Sequence, residues 1–205
     1  MMKRRNRFRD KPMQDRLVWQ AASLMLTYPD DGHADRLQSA ARLLDHVTGE
    51  PRALLGQTVV GLSLRPTIEL QQEYVDTFDL HKRCTMLLTY WTSGDTRNRG
   101  ADMVEFTQTY RAAGAEIPKG EAPDHVPAVL ELAATVDPAA GRQLLAKYRV
   151  PIRVVAQALA ERKSPYAPAI AAVDATLPAL AAVDDVSRLM MAEPPPDRWD
   201  CSRFS

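Results

Sequence analysis

Four histidines (His33, His46, His81 and His125) and two cysteines (Cys84 and Cys201) are the side chains with most scope for metal or nucleophilic chemistry. His81 and Cys84 stand three apart, a spacing that can place two metal ligands on one face of a helix. Nothing nearby supplies a second pair, so a packed cysteine beside a surface histidine is the expected arrangement. Asp124 and His125 bring a carboxylate and an imidazole side by side. Adjacent helical residues do not face each other, however, and no nucleophile lies next to them. The chain contains no HExxH, CxxC, GxSxG or glycine-rich phosphate loop. No catalytic residue, metal ligand or cofactor of its own is therefore assigned. The chemistry points to a binding module and not to an enzyme.

Charge and length narrow the classes further. Lys+Arg and Asp+Glu both number 26 in 205 residues, so net charge favours neither nucleic acid nor an anionic membrane. The balance hides a basic arm: residues 1–11 hold six basic side chains against Asp10, leaving the remainder at −5. A secretory or twin-arginine signal needs an apolar stretch of roughly 7–15 residues after such charges. None precedes Leu17, so export is not expected. No run approaches the ~20 apolar residues of a membrane span, and the two distant cysteines give no disulfide framework. A cytoplasmic protein is expected.

Positioning these side chains falls to helices. Leu17, Ala21, Leu24 and Met25 repeat at helical spacing, with Asp15 as a candidate cap. Tyr28-Pro29 ends that stretch, and Pro51 and Pro66 suit the first positions of later helices. Leu70, Tyr74 and Phe78 share a face that Ile68 and Val75 would widen. Met103, Phe106, Tyr110 and Ala113 make another face, closed by Gly114. Asp124 can cap a helix bearing Val126, Val129 and Leu130. A helix from Pro138 to about Leu159 is expected to kink at Pro151, and Ser164-Pro165 opens the last one. No stretch alternates with period two. The expectation is an all-α fold: a basic flexible arm (1–14), one domain of about eight helices (15–183) and a flexible Pro-rich tail (184–205).

Two ordered stretches carry a resemblance. The first is Leu70-Gln71-Gln72-Glu73-Tyr74-Val75-Asp76-Thr77-Phe78-Asp79-Leu80, followed by Leu88-Thr89-Tyr90-Trp91-Thr92-Ser93-Gly94-Asp95-Thr96-Arg97-Asn98-Arg99-Gly100. The second is Glu121-Ala122-Pro123-Asp124-His125-Val126-Pro127. With Ser164-Pro165-Tyr166, they resemble the nitrate reductase assembly chaperones (the NarJ type) of the redox-enzyme maturation chaperone family. The likeness runs from about Val18 to Leu180. Thr77 stands where the wider family tends to have leucine, and Ala122 separates Glu121 from Pro123.

The resemblance implies a helical chaperone. It would bind the N-terminal segment of the apo catalytic subunit of a molybdenum-dependent nitrate reductase. It would hold that subunit competent for molybdenum cofactor insertion before membrane assembly, without entering the membrane or binding nucleic acid. Tyr74, Phe78, Asp124 and His125 are the client-peptide candidates it implies, and for Tyr74 and Phe78 core packing is the equal alternative. Arg97 and Arg99 sit unfavourably for cations at a helix start, so they either pair with acidic groups such as Asp95 and Asp102 or meet a partner. The rival readings are a small helical enzyme using Asp124 and His125, or a helical DNA-binding regulator using the basic arm.

Overall fold

The structure, a computed structural model, describes residues 7–93, 97–117 and 120–179. Among them are ten α-helices and no strand. They are α1 (Arg7–Leu26), α2 (His33–Leu43), α3 (Glu50–Ser63), α4 (Thr67–Tyr74), α5 (Leu88–Ser93), α6 (Arg97–Ala112), α7 (Val126–Glu131), α8 (Pro138–Lys147), α9 (Arg149–Glu161) and α10 (Ala167–Thr176). Two π-helical turns, Val75–Asp79 and Leu132–Val136, extend α4 and α7.

The core is built around α1, which packs against α2, α3, α7 and α10. A helix surrounded on several sides must be apolar over more than one stripe. Val18, Trp19, Ala21, Ala22, Met25 and Leu26 are accordingly at most 1 % exposed. Polar groups carried inward find partners: the Trp19 indole N–H donates to Thr176 Oγ1 at 2.8 Å, and Ser23 Oγ donates to the Pro127 carbonyl at 2.9 Å. These two bonds tie the first helix to elements more than 100 residues later.

Several local expectations change. The first helix begins at Arg7, so residues 7–14 are helical and not part of an arm. Asp15 therefore lies inside α1, where it is buried and pairs with Arg142 at 2.6 Å instead of capping. Ile68 and Val75 do not widen the buried face of α4. They are exposed, because only the Leu70 and Tyr74 stripe meets the core. The long helix after Pro138 divides at Tyr148, ahead of Pro151. Proline tolerates only a first-turn position, since deeper in a helix its ring meets the carbonyl four residues back, here that of Lys147. That division helps raise the count from about eight to ten. Residues 1–6 of the arm and the expected tail at 184–205 lie outside the described residues.

Other local signals hold. Gly114, at φ +68°, closes α6 as expected. Its amide donates to Arg111 O at 3.1 Å, and the next amide, Ala115, reaches Tyr110 O at 2.9 Å, the paired bonds of a Schellman ending. Gly141 has a packing reason instead. A Cβ there would lie 2.3 Å from Ala133 Cα, so α8 rests on the backbone of the second π turn through that glycine.

Candidate functional site

The two sequence stretches meet where the residue before α5 crosses the residue before α7. Leu87 and His125 form an isolated antiparallel bridge. The Leu88 amide donates to Asp124 O at 3.1 Å, and the Val126 amide to Met86 O at 3.0 Å.

Asp124 is fully buried at this crossing. Its Oδ2 accepts from the Thr89 amide at 3.0 Å and from the Thr89 hydroxyl at 2.5 Å. The first two amides of α5 are thus satisfied by one residue, Leu88 by its carbonyl and Thr89 by its carboxylate. Asp124 caps a helix 35 residues away and not the helix it precedes. The residue at the α7 boundary is His125, with no side-chain cap bond. The reason is local: the Val126 amide is committed to Met86, and Pro127 has no N–H to offer. Little at the start of α7 requires a cap.

Arg99, in the first turn of α6, donates through Nε to Thr89 Oγ1 at 3.1 Å and places Nη2 3.8 Å from Asp124 Oδ2. The acidic partner the structure gives Arg99 is Asp124. This offsets the unfavourable helix-start position of the cation with a buried carboxylate. The side chain of Arg97, like Asp95 and Thr96, lies outside the described residues.

His125 faces outward from this crossing, with its side chain 20 % exposed and Nδ1 3.6 Å from Glu121 Oε2. The neighbouring His125 side chain holds the Glu121 carboxyl below its ordinary value, against the upward push of burial. Asp79, at the end of the first π turn, is pushed upward by burial and opposed by the charge of His125. Asp79 of the first resemblance stretch thus lies within electrostatic reach of His125 of the second.

Tyr74 and Phe78 lie in the core. Each is 5 % exposed, with ring centroids 4.7 Å apart, and Tyr166 lies 5.8 Å and 5.2 Å from them. Tyr74 OH donates to Leu26 O at 3.0 Å, and burial raises its pKa. Both rings are thus packed in the hydrophobic core. Tyr166 itself lies just before α10. Ser164 Oγ accepts from the Tyr166 amide at 3.3 Å, so the turn before the helix uses the serine while α10 starts at Ala167.

Cys84 is 1 % exposed, and burial pushes its thiol pKa up, the opposite of an activated cysteine. His81 turns its Nδ1 to the Asp76 carbonyl. Sequence reasoning missed the roles of Thr89 and Arg99 around Asp124. It also missed His33, whose two ring nitrogens are buried without a hydrogen-bond partner among the described residues. A histidine directly after Gly32 gives no local signal of that isolation.

The family model of the nitrate reductase delta subunit matches residues 41–172. The chain belongs to this family. The nitrate reductase-like protein NarX of Mycobacterium tuberculosis is 52 % identical over 157 residues, which are 77 % of this chain and 24 % of that protein. The chain thus spans about a quarter of that relative's length. A Bacillus subtilis member, assigned as the nitrate reductase molybdenum cofactor assembly chaperone NarJ, is 31 % identical over 153 residues. That alignment covers 74 % of this chain and 83 % of the relative. In three dimensions the chain superposes on a protein from Archaeoglobus fulgidus assigned to redox enzyme maturation, with a TM-score of 0.58 at 24 % identity. That match covers 78 % of this chain and 91 % of the other and shows the shared fold. Among the family member's described residues, no helix is long and apolar enough to cross a membrane.

Proposed function

We propose that this member of the nitrate reductase delta subunit family is a cytoplasmic assembly chaperone. It binds the N-terminal segment of the apo catalytic subunit of a molybdenum-dependent nitrate reductase and holds that subunit ready for cofactor insertion before membrane assembly. The observation that carries the reading is the alignment with the Bacillus subtilis relative over 83 % of that protein's length.

The site chemistry supports recognition over reaction. The Asp124 carboxylate is fully buried and committed to Thr89. It has no open path to a substrate, so the Asp124–His125 pair does not work as an acid–base couple. His125 and Glu121 remain at the surface beside the Asp79 turn, where a partner can touch them. Tyr74 and Phe78 support that surface from the core by fixing the π turn. Client contact in this reading falls on His125, while Asp124 holds the crossing on which it stands.

Reversible binding of an apolar-faced peptide suits a helical chaperone, because a groove between helices accepts such a segment without an obligate interface. The test is affinity capture on the full chain from its own cells respiring nitrate. The large catalytic subunit is the expected partner, and it should be lost when the first residues of that subunit are deleted. Capture that is indifferent to the deletion would place recognition elsewhere on the client.

A further inference from the structure

One buried ionic cluster away from the Asp124 crossing holds more positive charge than negative. Arg149 opens α9 and Arg153 stands four residues later, so both side chains rise on one face of that helix. They meet Asp174 in the last turn of α10: Arg149 Nε lies 3.1 Å from Oδ1, and Arg153 Nη2 lies 2.6 Å from Oδ2. Arg149 and Asp174 are each 7 % exposed. Two guanidiniums therefore share one carboxylate at a site largely removed from water.

The donors of the two arginines are not used up. Arg149 gives Nε to the Asp174 carboxylate and Nη2 to the Asp174 carbonyl, at 3.4 Å. Its Nη1 is buried with no hydrogen-bond partner among the described residues, and so is the Nε of Arg153. The Arg153 side chain is 39 % exposed, so the cluster can be reached from the surface on that side. Buried charged donors without acceptors are costly, and an unbalanced buried cation more so. A second carboxylate answers both needs, because it supplies the missing charge and several acceptor positions.

The chain itself carries that chemistry to the place. Helix α10 ends at Thr176, which the Trp19 indole holds, and Leu177 is still buried. The described residues end at Ala179, five residues after Asp174. The next ionisable residues are Asp184 and Asp185, five and six residues past Ala179, and no basic residue intervenes before Arg188. Five residues span at most about 18 Å, so Ala179 lies no farther than that from Asp174, and the five that follow can cover the same distance back. A carboxylate on so short a tether has an effective concentration on the order of millimolar, well above that of an acid presented by a separate protein.

We propose that residues 180–186 fold back over the end of α10 and dock the Asp184–Asp185 pair on Arg149 and Arg153. The bare guanidinium donors find their acceptors there, and the excess charge of the cluster is balanced. The contact fastens the chain beyond α10 to the seam between α9 and α10. It is independent of the chaperone reading above.

Limited trypsin digestion of the full chain, read by mass spectrometry, tests the contact, because Arg188 lies two residues past the docked segment. Cleavage there requires the segment to lift, whereas cleavage after Arg198 does not. Each rate is divided by that of a synthetic peptide of residues 180–192 with the same substitutions, which removes the effect of nearby acids on trypsin itself. Asp184→Asn with Asp185→Asn should speed cleavage after Arg188 about fivefold, the worth of one partly exposed ion pair, and leave cleavage after Arg198 unchanged. Arg153→Gln, which leaves Asp174 paired with Arg149, should have the same effect and add nothing to the asparagine pair. Asp197→Asn should change neither rate. Circular dichroism checks that each variant folds, and the asparagine pair, placed outside α9 and α10, decides the matter if Arg153→Gln does not. Equal normalised rates after Arg188, or increases that add, overturn the docking. So does an Arg153→Gln variant that keeps the slow cleavage but loses capture of a partner protein, since the arginines then serve an external acid.

Discussion

Replacing Asp124 by alanine should destabilise the protein through α5 and not through α7. The carboxylate accepts two hydrogen bonds from Thr89, at 3.0 Å and 2.5 Å, in a fully buried position. Bonds to a charged acceptor are worth roughly 1.5–3 kcal/mol each. Two corrections apply. Arg99 lies 3.8 Å away with its side chain 22 % exposed, so solvent screens that attraction and it adds little. Asp124 Oδ1 is buried without a partner among the described residues, so deleting the group also removes an existing penalty. A net loss of about 3 kcal/mol is expected for Asp124→Ala, above the ~0.5–2 kcal/mol of an ordinary exposed cap. Thr89→Val keeps the amide and the shape but removes the hydroxyl's bond to Asp124 and the one it accepts from Arg99 Nε, so it should cost about 2 kcal/mol. Urea unfolding of both single variants and the double variant gives the coupling, expected near 1 kcal/mol because the two side chains share one bond. Hydrogen exchange supplies the location: the Thr89 amide should lose protection in Asp124→Ala while those of α7 keep theirs. Additive energies, or protection lost first in α7, would refute the cross-chain cap.

Three further outcomes follow from particular residues. Gly141→Ala puts a Cβ 2.3 Å from Ala133 Cα and 2.7 Å from its nitrogen, so backbone must move; a loss of at least ~1–3 kcal/mol is expected in chemical denaturation, and a neutral result would disprove the close approach of α8. His33 has its pKa lowered by burial, so the unfolded chain takes up the proton first as pH falls. Its share of stability is fully present above the ordinary value of about 6.5 and is lost as pH drops from there through the folded value. Melting curves from pH 7.5 to pH 5 should therefore fall less steeply for His33→Leu than for the unmodified chain, and parallel curves would remove the effect. His125→Ala deletes a partly exposed ring whose side chain caps nothing; it should melt close to the unmodified protein yet bind the catalytic-subunit peptide more weakly, and equal affinities in calorimetry would take His125 out of the recognition surface.

Much of the helical framework was legible because periodicity is a local property. The 3.6-residue spacing of Leu17, Ala21 and Met25 marks α1 whatever it packs against, and Gly114 ends α6 through its own φ. The order of the two motif stretches was likewise sufficient to indicate the family that includes residues 41–172. Boundaries were less legible where a helix gains support from elsewhere. Residues 7–14 read as a charged arm, yet the described helix continues through them.

Partner choice is where sequence reasoning stopped, and the reason is geometric. An aspartate before a helix start can satisfy the amides that follow it, and nothing local to residues 121–131 reveals that those amides are already used or absent. Only the crossing of Leu87 with His125 brings Thr89 to the Asp124 carboxylate and commits the Val126 amide to Met86. Tyr74 and Phe78 show the same division: their spacing predicts a shared face, but the rings of Tyr28 and Tyr166 and the Leu26 carbonyl determine that the face is buried. His33 is the extreme case, since a missing hydrogen-bond partner is a property of everything packed around a residue. The sequence by itself determined which segments are helical, where most of them end and to which family they belong. The tertiary structure alone decided which polar groups those helices satisfy and which they leave unpartnered among the described residues, because hydrogen-bond partners tens of residues apart are set by packing and not by local spacing.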